Sequence, residues 1–302
     1  MNAITVLYLA LGIVAVVFAV AVVRSFPRHH VAPPRWIEIG IGAVTNFFDT
    51  LGVGSFAPTV SLFKFFKLVP DEKIPGTLNV GHTLPTITEA LIFIAIIGVD
   101  PLTLVSLIAA AVAGAWLGAG VVSRWPRRNV QIGMGIALAV AALIFVMKTK
   151  QVNLFPSSGG SAIALAGVQL WIGIAVNFCL GALMTIGIGL YAPCFILVSF
   201  LGMDIKAAFP IMMGSCAFLM PIASMRFVKF DAYSLRASFG LSLGGVPAVL
   251  IAALIVKSMD INVVEWLVVA VVLYAAIMML RSAFVERNAP AAVADYSATP
   301  GT

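Results

Sequence analysis

Charge is scarce in this sequence. Lys, Arg, Asp and Glu supply 10% of its 302 residues, against about a quarter in soluble domains. A water-soluble chain is excluded, and 62% hydrophobic residues with a mean hydropathy of +1.10 place most of the polypeptide in lipid. Cysteine is scarcer still. Cys179, Cys194 and Cys216 are the only three; each sits in an apolar stretch without paired ligand spacing, so neither a disulfide framework nor a zinc site is expected. The sequence has no His-Glu-x-x-His, and its one Gly-x-Ser-x-Gly, Gly240-Leu241-Ser242-Leu243-Gly244, lies inside an apolar span rather than at a strand-to-helix turn, so we expect no metal, no cofactor and no enzyme. A basic stripe with exposed aromatics is missing too, which removes nucleic acid as a partner. Acidic residues are fewer than basic ones, 12 against 18; in a membrane chain that excess reports orientation.

The lipid bilayer is therefore the main surrounding, and the expected fold is an all-α polytopic membrane protein. A helix needs about 20 residues to cross about 30 Å of hydrocarbon. By that measure the spans are 4–23, 74–99, 102–123, 130–147, 207–228, 233–256 and 261–280. The first lacks a basic segment before it and a cleavage site after it, so it reads as a retained helix. Two stretches fit poorly. At about 1.5 Å per residue, 36–66 and 168–202 are too long for one span and too short for two. Each is interrupted by glycines, as Thr50-Leu51-Gly52-Val53-Gly54-Ser55-Phe56-Ala57-Pro58 and as Thr185-Ile186-Gly187-Ile188-Gly189-Leu190-Tyr191-Ala192-Pro193.

These nonapeptides match at Thr, both glycines, Ala and Pro, at an offset of 135. Asp71-x-Lys73 then faces Asp204-x-Lys206, Gly81 faces Gly214, Asp100 faces Asp231 and Gly114 faces Gly245, with the offset falling to 131. An internal duplication follows, a common plan in secondary transporters. The organisation expected is an N-terminal helix and basic loop over 1–35, repeat 1 over 36–150, repeat 2 over 151–287 and a disordered tail over 288–302. If each glycine-broken stretch is a hairpin, Lys and Arg divide 14 to 4 between the two sides. As single crossings they would leave Arg124, Arg127 and Arg128 outside, against the positive-inside rule. Hairpins make the repeats inverted, meeting near the midplane. The C-terminus is then cytoplasmic and the N-terminus outside, in a cell inner membrane.

Irregular backbone survives at membrane depth only when buried in protein or lining a cavity. The glycines allow a tight turn, and the proline four residues after the second glycine suits the first turn of a new helix. Restarted helices at Ser55 and Leu190 would aim their positive ends at the membrane centre, which describes a pocket for a small anion. The candidate binding residues are Thr50, Gly52, Val53, Gly54 and Ser55 in repeat 1, and Thr185, Gly187, Ile188, Gly189, Leu190 and Tyr191 in repeat 2. Asn79, Gly81, His82, Thr83 and Ser215, on the following helices, add donors and close backbone. Close helix packing and carbonyl capping are the ordinary alternatives for all of these. Asp49, His82 and Glu89 lie at membrane depth and are candidates for proton coupling, with buried structural hydrogen bonds as the alternative.

The duplicated Gly-x-Gly stretches followed by Ala-Pro, with Asp-x-Lys and Gly downstream in both copies, resemble the sulfite exporter TauE/SafE family over about 36–281. Ser55 and Leu190 depart from the glycine-richer form of its motif. The resemblance implies an alternating-access carrier of sulfite or small organosulfonates such as sulfoacetate, working as an exporter, and a homodimer. Export of a monoanion from a negative cytoplasm gains about 2.3 kcal/mol per 100 mV. An anion channel and a proton-coupled importer of a sulfonate or another small anion are the alternatives.

Overall fold

The computed structural model describes residues 3–28, 32–122, 126–148, 160–185 and 188–288. Within them lie eleven α-helices: α1 Ala3–Ser25, α2 Trp36–Thr50, α3 Phe56–Phe65, α4 Ile74–Ile96, α5 Pro101–Val122, α6 Arg127–Lys148, α7 Gly167–Met184, α8 Tyr191–Phe200, α9 Ala208–Lys229, α10 Leu235–Ser258 and α11 Ile261–Asn288. Among the described residues the only β pairing is an isolated bridge between Ala162 and Met203, and seven helices are long and apolar enough to cross a membrane. The expected spans are each found within a few residues, except that α11 runs on to Asn288. Residue 288, assigned above to the tail, is thus helical; 289–302 lie outside the described residues, as does the repeat boundary at 150/151.

Each repeat is a set of five helices, α2–α6 and α7–α11, and contacts between the sets show how they are related. Corresponding helices α4 and α9 pack antiparallel. Gly76 faces Phe227, Thr83 and Ser224 share a hydrogen bond of 3.1 Å, and Phe93 stacks on Phe209 at 5.0 Å. The corresponding pair α6 and α11 is also antiparallel, with Arg128 Nε donating to Ala283 O at 3.2 Å and Gly135 against Leu280 and Ala276. A helix that runs against its own counterpart belongs to an inverted copy. The remaining contacts obey the same exchange: α2 runs parallel to α10, with Gly42 against Leu241 and Gly245 against Asn46, while α7 runs parallel to α5, with Gly173 against Leu107 and Gly114 against Phe178.

Both glycine-broken stretches return to the side they came from. The start of α2 is tied to the start of α10 by Glu38 and Arg236. The end of α3 is tied to the turn before α4 by Lys64 and Asp71, 3.4 Å apart. The starts of α4 and α10 meet where Ser234 N–H donates to Thr77 Oγ1 at 2.9 Å. All of these lie on one face, together with the end of α1, where Ser25 and Tyr233 hydroxyls lie 2.6 Å apart. On the other face Asp100 N–H donates to Ile163 O at 2.8 Å and Asp204 N–H to Ala162 O at 2.9 Å, which joins the starts of α5 and α7 to the end of α8. The α7 helix therefore belongs to a hairpin, although its 18 residues satisfy the length of a span. The first face carries most of the basic residues; Arg124 and Lys150 lie outside the described residues.

The two short helices end alike. Leu68 N–H donates to Phe63 O at 3.1 Å and Met203 N–H to Val198 O at 3.2 Å, a six-to-one closure that puts the intervening residue in the left-handed region. That residue is Gly202, φ 80°, in repeat 2 but Lys67, φ 50°, in repeat 1. Lys67 is exposed, so its side chain gains little there while its Cβ opposes the backbone by about 1 kcal/mol. Lys67→Gly is expected to raise stability by up to about 1 kcal/mol, read as a higher unfolding temperature in detergent; a drop would show that the lysine side chain holds the turn.

Candidate functional site

The first hairpin turns through two glycines. Gly52 N–H donates to Asp49 O at 2.7 Å and Val53 N–H to Phe48 O at 3.0 Å as α2 closes. Gly52 and Gly54 then take φ values of 95° and 90°, open to glycine at little cost and to other residues at about 1–2 kcal/mol. The tip lands on the second repeat. A Cβ placed on Gly52 would lie 2.6 Å from the Phe195 ring of α8 and 3.7 Å from Met212 Cε of α9. In the second hairpin, Ile188 N–H donates to Leu183 O at 3.3 Å. Gly187 lies outside the described residues, and Gly189 is exposed without a positive φ. The two tips thus meet but are not copies. Asn46-Phe47 matches Asn177-Phe178 at an offset of 131, whereas the glycines match at 135; α7 carries about one extra helical turn before its break.

Where the tips meet, ionisable side chains gather. Asp49 is buried and accepts from both the hydroxyl and the backbone N–H of Ser55. It caps α3, placing the protein's own carboxyl at one of the two helix ends expected to receive an anion. Thr50 Oγ1 lies 2.8 Å from Asn46 O and 2.7 Å from Glu89 Oε1. Glu89 is fully buried, and its Oε2 has no hydrogen-bond partner. Tyr191, at the start of α8, shares a hydrogen bond with Cys216 of α9, and both lie within electrostatic reach of Asp49 and Glu89. Cys216 Sγ also lies 3.8 Å from Met184 Sδ. No Lys or Arg is buried among the described residues. At the α8 end Met184 stands where repeat 1 has Asp49, so that helix start lacks an acidic cap at the matching position.

The other candidates lie apart from this cluster. His82 Nδ1 is 2.9 Å from Asn46 Oδ1 and Nε2 is 3.1 Å from Thr59 Oγ1, with Phe56 beside the ring at 5.7 Å. Both nitrogens are used in joining α2, α3 and α4. Thr83 bonds Asn79 O and Ser224 across α4 and α9. Ser215 Oγ donates to Ile211 O, Asn79 Nδ2 to Pro75 O and Thr185 Oγ1 to Ala182 O, all within their own helices. Gly81 packs against Leu241 and Ser238. Pro85 cannot donate to the Gly81 carbonyl, and Ser242 Oγ of α10 donates to it instead at 2.7 Å. Val53 is half-buried, and Leu190 lies in the main core. Ile188 points to Val130, Met134 and Met279 of α6 and α11. Sequence reasoning missed Asn46, whose signal was its match to Asn177 at an offset of 131, while Thr59, Phe195, Met212 and Ser224 carried no signal beyond their polarity or bulk.

The comparisons with known proteins support the family resemblance but give it another extent, taking in the first helix and stopping short of repeat 2. Residues 2–145 match the family described as sulfite exporter TauE/SafE, so α1 and nearly all of repeat 1 carry that family's pattern. No curated protein and no solved structure matches the chain.

Proposed function

We propose, from the TauE/SafE pattern of residues 2–145, that the protein is an alternating-access carrier for small sulfur oxyanions, sulfite or small organosulfonates, with export as its direction. The observation that carries this reading is the meeting of two inverted, glycine-broken hairpins, with Gly52 against Phe195. Inverted repeats that meet at broken helices are the plan of carriers that rock about a central site. The anion is placed at the start of α8, beside Tyr191 and Thr50, because Asp49 already caps α3. The positive end of a ten-residue helix, its first-turn Pro193 needing no partner, supplies the favourable field without a buried cation. Asp49, Thr50, Ser55, Glu89 and Cys216 are shut off from solvent, which corresponds to an occluded stage. By the positive-inside rule the basic face is cytoplasmic and α1 begins outside.

Purified protein in liposomes is expected to release loaded sulfite, and unlabelled sulfite on one side is expected to accelerate labelled sulfite entering from the other. Acceleration marks a carrier. Large single-channel sulfite currents without acceleration would make the same helix ends a channel, and no sulfite movement at all would remove the substrate assignment.

A further inference from the structure

We propose that Glu89 binds one proton that travels with the anion, an inference that rests on the carrier reading and names the coupling ion of the same site. The first argument is a count of hydrogens. The Thr50 hydroxyl has one hydrogen and two oxygen neighbours, Asn46 O at 2.8 Å and Glu89 Oε1 at 2.7 Å. Both contacts are full two-centre hydrogen bonds, rather than one hydrogen shared between two acceptors, when Glu89 brings a proton of its own. The second argument is the other oxygen. Glu89 Oε2 is buried without a partner, and an ionised carboxylate left so is expensive.

The groups facing Glu89 give no compensating charge. From α2 comes Asp49, engaged with Ser55; from α8, Tyr191; from α9, Cys216, which has Cys194 of α8 near it. On α1, Tyr8 hydroxyl donates to Leu91 O at 3.4 Å. The only charged residues of α10, Arg236 and Lys257, stand at its two ends, and His82, two turns back on α4, has neutral partners on both nitrogens. An anion arriving beside ionised Asp49 and ionised Glu89 would add a third negative charge where no cation is buried. Protonation of Glu89 therefore precedes anion loading, and deprotonation follows release on the other side. Repeat 2 has Ile222 and Met184 at the positions of Glu89 and Asp49, so there is one such site per chain. A monoanion and one proton together are neutral; their joint movement ignores the membrane potential and follows the combined anion and pH gradients, so export is driven by the anion's own outward gradient and is opposed by a pH gradient that is acid outside.

Two measurements test this. Infrared difference spectra of the reconstituted protein after an acid-to-alkaline step, with no anion added, are expected to show loss of a protonated-carboxylic-acid carbonyl band that is missing in Glu89→Gln. A band unchanged in Glu89→Gln, or no band, overturns the proton site. Should Glu89→Gln fail to give a monodisperse protein, Thr50→Val is expected to shift the band by removing its hydrogen-bond partner, and an unmoved band overturns the assignment. In the second measurement, liposomes containing a pH-sensitive dye receive methanesulfonate, whose charge does not vary with pH in this range. The wild type is expected to acidify the lumen as methanesulfonate enters, and a tenfold proton gradient is expected to give up to about tenfold accumulation at one-to-one coupling. Glu89→Gln is expected to exchange labelled for unlabelled methanesulfonate without acidification. Methanesulfonate entry without acidification in the wild type overturns the coupling, whereas no entry at all overturns the carrier reading for sulfonates and leaves the infrared result to decide the proton site.

Discussion

Gly52→Leu is expected to lower sulfite flux by about a hundredfold or more. Two separate penalties add. At φ 95° any L side chain opposes its own backbone by about 1–2 kcal/mol. The new Cβ would also fall 2.6 and 2.9 Å from Phe195 ring atoms, and that ring has nowhere to retreat. Phe195 is fully buried, its edge set against Phe209 at 5.2 Å, and Phe209 is stacked on Phe93, so the aromatic column runs from α8 through α9 to α4. Overpacking such a place costs about 1–3 kcal/mol. A combined penalty near 3 kcal/mol on the state in which the tips meet corresponds to about a hundredfold, at about 1.4 kcal/mol per factor of ten. Gly54 separates the two effects. Its φ is 90°, but nothing lies within 4 Å of a Cβ there, so Gly54→Ala is expected to lose only about tenfold. Adding Phe195→Leu to Gly52→Ala is expected to recover the part due to the clash. Flux in liposomes, with size-exclusion profiles to confirm folded protein, checks the series. Wild-type flux in Gly52→Leu would show that the tips need not meet during transport.

The parts of this fold that were legible in the sequence are those with a local physical requirement. Reversing a chain inside hydrocarbon needs positive φ, which only glycine takes cheaply, so Gly52 and Gly54 announced the turn. Their duplication announced the second turn, and the distribution of lysines and arginines announced that each hairpin returns to the face it left. The site was less legible because its partners are set by tertiary packing. His82 finds Asn46 36 residues away and Thr59 23 residues away, and no spacing rule links them. As a donor or proton carrier His82 looked the equal of Glu89; the contacts separate them, since one has both nitrogens engaged and the other an oxygen without a partner. Asp49 was legible as a membrane-depth acid but not as the cap of α3. That role depends on the turn bringing its carboxyl back to Ser55, and it makes two helix ends that look equivalent in sequence unequal, one carrying an acidic side chain and the other Met184 at the matching position.

The same inequality between repeats sets the second large effect, which concerns stability. Glu38 is fully buried at the start of α2. Its Oε2 accepts the Arg35 N–H at 2.8 Å, and its Oε1 accepts from Arg236 Nε and Nη2, each at 3.1 Å. The corresponding pair in repeat 2 would be Gln169 and Val105, an uncharged combination at an offset of 131. There the parallel helices α5 and α7 are held instead by Gly114 and Gly181 against facing backbone and by Asn177 Nδ2 donating to Leu107 O at 2.6 Å. Removing one member of a buried pair strands the other, at about 3–5 kcal/mol. The Arg236 side chain is 28% exposed, so water would reach Glu38 in part, and Arg236→Ala is expected to cost about 2–3 kcal/mol. Glu38→Gln combined with Arg236→Met, which leaves no charge stranded and keeps the apolar stem against α2, is expected to recover most of that loss. Unfolding in detergent, followed for the single and double variants, decides the cause. If the double variant recovers, the stranded carboxylate is responsible; if it remains as unstable as Arg236→Ala, the ion pair itself holds the start of α2 on α10.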